Sequence, residues 1–168
     1  MKKILIVSDT HGNIENFKKV IQLEKPDIKI HAGDFCVDIN IIKNNFDFLV
    51  AGNNDFEGER VLKFQIFNFN FVLLHGDIFG YYSQNNVEEF KNTLFEYAIR
   101  NQADVLITGH THIELVDYQD NILLLNPGSL VYPRNKNHIC TYAILEVDEN
   151  KIKSVEQSEI IKKFEDLI

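Results

Sequence analysis

Ile4-Leu5-Ile6-Val7-Ser8-Asp9-Thr10-His11-Gly12-Asn13 is the stretch that decides the fold class. Its first four residues form an apolar run of the length expected of a buried strand. The next six are polar or glycine and read as a turn. From Ile14 the period changes: Ile14, Phe17, Val20 and Ile21 share one face of a helix running to about Glu24, and Pro26 closes it. Strand, tight turn and amphipathic helix in that order make a unit of an α/β fold.

The unit recurs. Ile28–His31 is a second strand followed by Gly33-Asp34, and a short helix from about Val37 to Lys43 leads to a third strand, Phe46–Val50, ending in Ala51-Gly52-Asn53-Asn54-Asp55. This repetition implies a parallel sheet with right-handed crossovers. The middle of the chain alternates Leu62, Phe64, Ile66 and then Phe67, Phe69, Phe71, with a change of phase near Phe67–Asn70 that marks a hairpin. The phenylalanine stripe reads as a core-facing sheet surface rather than an aromatic binding platform. A long helix is expected over Val87–Asn101 and a strand over Val105–Thr108. Ile113–Tyr118 and Ile122–Leu125 read as paired strands, and Thr141–Val147 with Lys151–Gln157 as a hairpin turning at Asp148–Asn150. Helical and strand periodicities compete in Glu159–Leu167. With no repeat, linker or low-complexity segment, residues 1–168 read as one domain.

Composition narrows the function. At 45% hydrophobic and 25% charged residues the chain is globular, not disordered or fibrous. A net charge of −8 repels polyanions, so no extended nucleic-acid footprint is expected. A metal site adds local positive charge, so a small phosphorylated ligand remains compatible. Cys36 and Cys140 lack a zinc-type spacing and are expected to be reduced and mostly buried. The apolar run behind Met1-Lys2-Lys3 ends at Val7, too short for a signal peptide, and no stretch approaches a membrane span. The expected location is therefore the cytoplasm, with no membrane partner. A homo-oligomer is left open.

The chemistry lies just past the ends of the strands. Strand-like runs end in Asp9-Thr10-His11, Gly33-Asp34, Gly52-Asn53-Asn54-Asp55, His75-Gly76-Asp77 and Gly109-His110-Thr111-His112. Open α/β sheets put their sites at the carboxyl ends of strands, so these five ends are expected to converge on one crevice. Any one of them alone is more often a turn or a cap. Together they gather Asp9, His11, Asp34, Asn53, His75, His110 and His112: hard oxygens and imidazole nitrogens without a thiolate. That donor set suits divalent Mn, Fe, Zn, Ni, Co or Mg. Seven donors exceed one four-coordinate ion and suit two ions sharing a carboxylate.

The order D-x-H, G-D, G-N-x-D, H-G, G-H-x-H resembles the calcineurin-like metallophosphoesterase superfamily. The short length, Gly52-Asn53-Asn54-Asp55 and Asn126-Pro127-Gly128-Ser129 resemble its small bacterial and archaeal phosphodiesterases. The resemblance runs from Ile4 to about Val147. It implies a β-sandwich of two mixed sheets flanked by helices, with the terminal strands forming part of a second sheet. It also implies one metal held by Asp9, His11, Asp34 and His112 and another held by Asp34, Asn53, His75 and His110, with Asp34 bridging. The implied activity is hydrolysis of a small phosphoester, a diester rather than a monoester, by a metal-bridging hydroxide. No residue is assigned as the catalytic acid or base.

Other residues carry narrower expectations. Asn54 stands where larger relatives carry His and is expected to meet substrate; Asp77 stands where many small relatives carry His. Asp55 is a candidate for orienting an imidazole. His31 reads as a buried supporting residue, His138 and Arg134 as solvated loop residues, Cys36 as buried packing, and Asn126–Ser129 as a wall of the crevice. The rival reading is a non-catalytic scaffold, as in the retromer cargo-adaptor subunit that this fold also resembles. Phosphomonoester hydrolysis is a further alternative. An intact set of seven donors favours catalysis.

Overall fold

In a computed structural model of the chain, residues 1–159 are described. The elements run β1 (Lys2–Val7), α1 (Ile14–Glu24), β2 (Ile28–His31), α2 (Ile39–Asn45), β3 (Phe48–Leu49), β4 (Val61–Ile66), β5 (Phe69–Leu74), α3 (Val87–Arg100), β6 (Val105–Ile107), β7 (Leu115–Gln119), β8 (Ile122–Asn126), β9 (Thr141–Val147) and β10 (Ile152–Glu159). Of the ambiguous stretch Glu159–Leu167, all but Glu159, the last residue of β10, lies outside the described residues.

Two five-stranded mixed sheets face each other, ordered β10-β9-β1-β2-β3 and β4-β5-β6-β8-β7. The first unit predicts the geometry well because the period-two alternation of β1 has an apolar residue in every slot. Ile4 and Ile6 point into the space between the sheets, whereas Leu5 and Val7 point outward onto Phe17 and Val20 of α1 and Ile42 of α2. The second sheet repeats the arrangement. Phe71, Leu73, Val105, Ile107, Leu123 and Leu125 face inward, and Val72, Leu74, Leu106 and Leu124 pack under Phe90, Leu94, Phe95 and Ala98 of α3. A strand covered on both faces reads as a continuous apolar run, as these do.

Two expectations need correction. The terminal strands join the first sheet, not the second: β9 lies antiparallel between β1 and β10, pairing Lys2 with Val147 and Ile6 with Ala143. The second sheet is built entirely from β4 to β8. Parallel pairing is confined to β1-β2-β3 and β5-β6-β8, so neither sheet is wholly parallel. The second correction concerns α2, which starts two residues later than Val37. The Asp38 side chain accepts a hydrogen bond from Asn40 N–H and caps the helix, so Val37 falls outside it. The hairpin turn at Phe67–Asn68 joins β4 to β5 with Phe67 at φ 53°, which accounts for the change of phase.

The consequence for the site is directional. Within each sheet the parallel strands end on the same side, so the loops after β1, β2 and β3 meet those after β5 and β6 where the two sheets abut. Cross-sheet bonds lock the junction: His75 Nδ1 lies 2.8 Å from Ala32 O, and His110 N–H donates to Asp9 Oδ2 at 3.0 Å.

Candidate metal centre

Asp9 is fully buried, and its Oδ1 is the focus of the junction. Around it lie His112 Nε2 at 3.0 Å, and His11 Nε2 and His75 Nε2 each at 3.8 Å. Asp34 Oδ2 lies 3.4 Å from His75 Nε2 and 3.8 Å from His11 Nε2. Two groups of converging donors result, Asp9-His11-His112 and Asp9-Asp34-His75.

The imidazoles are oriented by backbone carbonyls. His75 Nδ1 donates to Ala32 O, and His112 Nδ1 donates to Tyr132 O at 2.6 Å. A proton fixed on Nδ1 leaves Nε2 as a lone pair, and in both rings Nε2 is the atom aimed at the carboxylates. His11 Nε2 and His112 Nε2 approach to 3.3 Å. Asp9 Oδ1 and His75 Nε2 are buried without a hydrogen-bond partner among the described residues. Lone pairs that converge in a buried place, unpaired with donors, are held together by a cation or a proton.

The electrostatics agree. Burial alone would raise the Asp9 and Asp34 carboxyls, but it is outweighed. His11 and His112 hold Asp9 far below the usual carboxylate range. His75 and Asn54 bring Asp34 down to about 2. Burial also works against a charged His75, yet Asp34 and Asp9 push it up to about 9. His11 is raised by Asp9, whereas His110 is lowered by burial and the nearby His75. The pocket is a well of negative potential that takes up positive charge.

Of the expected donors, Asp9, His11, Asp34, His75 and His112 are brought together. His110 stands beside them with its ring 5.2 Å from that of His75, outside both groups. Asn53 is exposed on the loop after β3. Asp34 reaches donors on both sides, and Asp9 does so as well.

Several supporting residues differ from expectation. Asp55 orients no imidazole; it accepts from the N–H groups of Asp34, Phe35, Cys36 and Gly52, at 2.7, 3.3, 2.8 and 2.8 Å. It thereby clamps the loop after β2 to the loop after β3. Asn54 donates to Asp34 twice at 2.9 Å, from its backbone N–H to Oδ1 and from Nδ2 to Oδ2, so its observed partner is the carboxylate. Cys36 is exposed rather than buried, because at φ 53° the chain turns its side chain toward the rim, with Sγ 3.7 Å from His11 Nδ1. Partial desolvation against the loop and the neighbouring Asp55 and Asp34 carboxylates push its thiol up to about 11, so it is a poor nucleophile. Cys140 is half-buried. His31 is fully buried, with Gly33 N–H donating to Nδ1 and Nε2 2.9 Å from Thr10 Oγ1. His138 and Arg134 are exposed. Asn126 Nδ2 donates to Gly109 O, and Ser129 Oγ to Asp9 O, which ties the Asn126–Ser129 wall to the donor loops.

Sequence reasoning missed Ser8, whose hydroxyl donates to Asp9 Oδ2 at 2.6 Å, and the carbonyls of Ala32 and Tyr132. A carbonyl carries no residue-type signal. The backbone itself is bent to the site: Asp9, His11, Asp34, Cys36, His110 and His112 all have positive φ. Such strain collects where a ligand constellation is over-determined by its surroundings. Gly52 is required by close approach, since a Cβ there would overlap Asp34 Oδ1.

The sequence model of the calcineurin-like phosphoesterase superfamily domain matches residues 1–150. The chain belongs to this superfamily. A relative from Mycoplasma pneumoniae named a probable metallophosphoesterase is 37% identical over 155 residues, covering 92% of this chain and 96% of the relative. A protein from Methanocaldococcus jannaschii named a phosphodiesterase is 34% identical over 144 residues, 75% of this chain and 82% of that protein. The crystal structure of a predicted phosphoesterase from Streptococcus pneumoniae TIGR4 superposes with a TM-score of 0.77 at 26% identity, covering 95% of this chain and 90% of the other. The two-sheet architecture is thus that of the superfamily. Among the described residues, no helix is long and apolar enough to cross a membrane.

Proposed function

We propose that this chain is a metal-dependent phosphodiesterase acting on small phosphodiesters. The observation that carries the reading is the buried pair of unpartnered atoms, Asp9 Oδ1 and His75 Nε2, inside a ring of oriented imidazoles. Two divalent cations fit this donor set, drawn from Mn, Fe, Zn, Ni and Co. Asp9, His11, Asp34 and His112 would hold one, and Asp34, Asn53, His75 and His110 the other. When bound, such ions neutralise phosphoryl oxygens and lower the pKa of water.

The chain's own residues do the positioning. Ala32 O and Tyr132 O fix the tautomers of His75 and His112, so their lone pairs are presented without reorganisation. Ser8 and Asn54 hold the carboxylates of Asp9 and Asp34 in place. A general acid is the missing part: Asn54 is an amide and cannot donate a proton near neutral pH. A positioned acid contributes typically 10²–10⁴-fold, chiefly for poor leaving groups. Diesters with good leaving groups are therefore the favoured substrates over alkyl monoesters. A cytoplasmic location belongs to the same reading, supported by two free cysteines.

Protein purified without added metal or chelator should carry about two transition-metal ions per chain by mass spectrometry. It should hydrolyse bis(4-nitrophenyl) phosphate faster than 4-nitrophenyl phosphate. Asp34→Asn should lower turnover on the order of 10²-fold or more and deplete both ions. Wild-type rate and metal content in Asp34→Asn would sink the bridging assignment, and a chain that binds no metal and hydrolyses neither ester would leave the scaffold reading.

A further inference from the structure

Beside the donor ring lies a cavity of about 390 Å³, within the range of small-molecule sites. Cys36 and Asn54 line it and also touch the ring, through His11 and Asp34 respectively, so the two spaces share a wall. Val37 and Ile39 give the cavity an apolar side. At its mouth Phe56 is wholly exposed, at 101%, and belongs to none of the hydrophobic clusters among the described residues. An aromatic ring left in water costs hydrophobic stabilisation, and its position beside a phosphoester site gives it a use. Asp38 and Glu57 line it as well, and the third carboxylate of the lining, Asp55, is taken up by the backbone N–H groups it clamps. The carboxylates of Asp38 and Glu57 repel a second phosphate and accept hydrogen bonds from amino groups.

We infer that this cavity binds the base of a nucleoside phosphodiester, stacked on Phe56, while the phosphate occupies the donor ring. The inference rests on the phosphodiesterase reading of the adjoining site. Three features select this substrate class. The cavity is too large for an alkyl ester or an ammonium group alone, and its apolar wall suits a flat ring. The two carboxylates match the exocyclic amino groups of adenine, guanine or cytosine. They also restrict the substrate to a single phosphate group, as in a cyclic nucleotide. Stacking of a base on an aromatic side chain contributes roughly 5- to 100-fold in binding.

A matched pair of strained cyclic diesters tests this: adenosine 2′,3′-cyclic monophosphate and ethylene phosphate, which has the same five-membered phosphate ring and no base. Phe56→Ala should raise KM for the nucleotide about tenfold with kcat unchanged, and leave ethylene phosphate within about twofold. Phe56→Trp should keep the nucleotide KM near wild type. Because the chain has no tryptophan, that variant also carries a single tryptophan, in the cavity mouth, which excitation at about 295 nm or longer selects over the tyrosines. Its emission should be quenched by adenosine 3′-monophosphate and not by 2-hydroxyethyl phosphate, the corresponding ring-opened products. Equal effects on both esters, or equal quenching by both products, overturns the inference while leaving the phosphodiesterase reading intact. Quenching by phosphocholine but not by the nucleotide overturns it in favour of a cation held over the ring. Selective quenching by the nucleotide, with no hydrolysis of either cyclic ester or of bis(4-nitrophenyl) phosphate, upholds the base site and removes the enzyme.

Discussion

His31 shows how one side chain near a charged site is kept neutral. It accepts from Gly33 N–H through Nδ1, so the ring proton sits on Nε2 and is donated to Thr10 Oγ1. Burial, opposed in part by Asp9 and Asp34, lowers its pKa to about 3. Between that value and the ordinary 6.5 the unfolded chain binds the extra proton and the folded chain does not, so stability falls as pH drops through this window. At pH 4.5 the loss relative to pH 7 should be roughly 2–3 kcal/mol. Urea unfolding at the two pH values measures it, and His31→Gln, which keeps a donor toward Thr10 without a titrating ring, should flatten the dependence. An equally steep loss in the variant would assign the effect elsewhere. The supporting role of His31 was legible because a histidine inside an apolar strand has to be satisfied. The exposure of Cys36 was not, because residue type says nothing of a positive φ.

Among the elements, the loops after β2 and β3 act as one body because Asp55 spans them. Four backbone donors share its two oxygens, and an unpaired buried donor costs about 1–3 kcal/mol. Asp55→Ala should therefore weaken metal binding about 10- to 100-fold although Asp55 is assigned to neither ion. Asp55→Asn, which retains one acceptor oxygen, should fall between. Calorimetric titration of metal into each variant, beside the urea midpoint, checks this; unchanged affinity in Asp55→Ala would mean that the loops hold their shape unaided. The motif Gly52-Asn53-Asn54-Asp55 announced a loop with chemistry, yet the role of Asp55 depended on which backbone lay opposite. Similarly, the start of α2 turned on Asp38 acting as its cap, a local hydrogen bond that apolar periodicity does not register.

For the molecule as a whole, the donor loops could be read from the sequence because each comes directly after a strand, and the direction of a parallel strand decides where its loop goes. Sheet membership could not. A strand such as β9, with apolar residues facing both ways, satisfies either sheet equally, and only its pairing with β1 settles the matter. That pairing reaches from Lys2 to Val147, so the first sheet waits until β9 has been made. During synthesis at about 5–20 residues per second, the loops of Asp9 and Asp34 leave the ribosome many seconds before β9 can dock. Until then β1 has an open edge, and the first carboxylates of the site have no fixed geometry. A chain ending at residue 140 would retain all seven candidate donors and lack β9 and β10. It should bind metal at least about 100-fold more weakly than the full chain and lose cooperative unfolding, as metal titration and circular dichroism would reveal. Native-like binding by that fragment would contradict the dependence. The site's first carboxylates thus depend for their geometry on a strand made long after them, and on the proposed metal-binding reading a nascent or nicked molecule without β9 would be kept from loading metal.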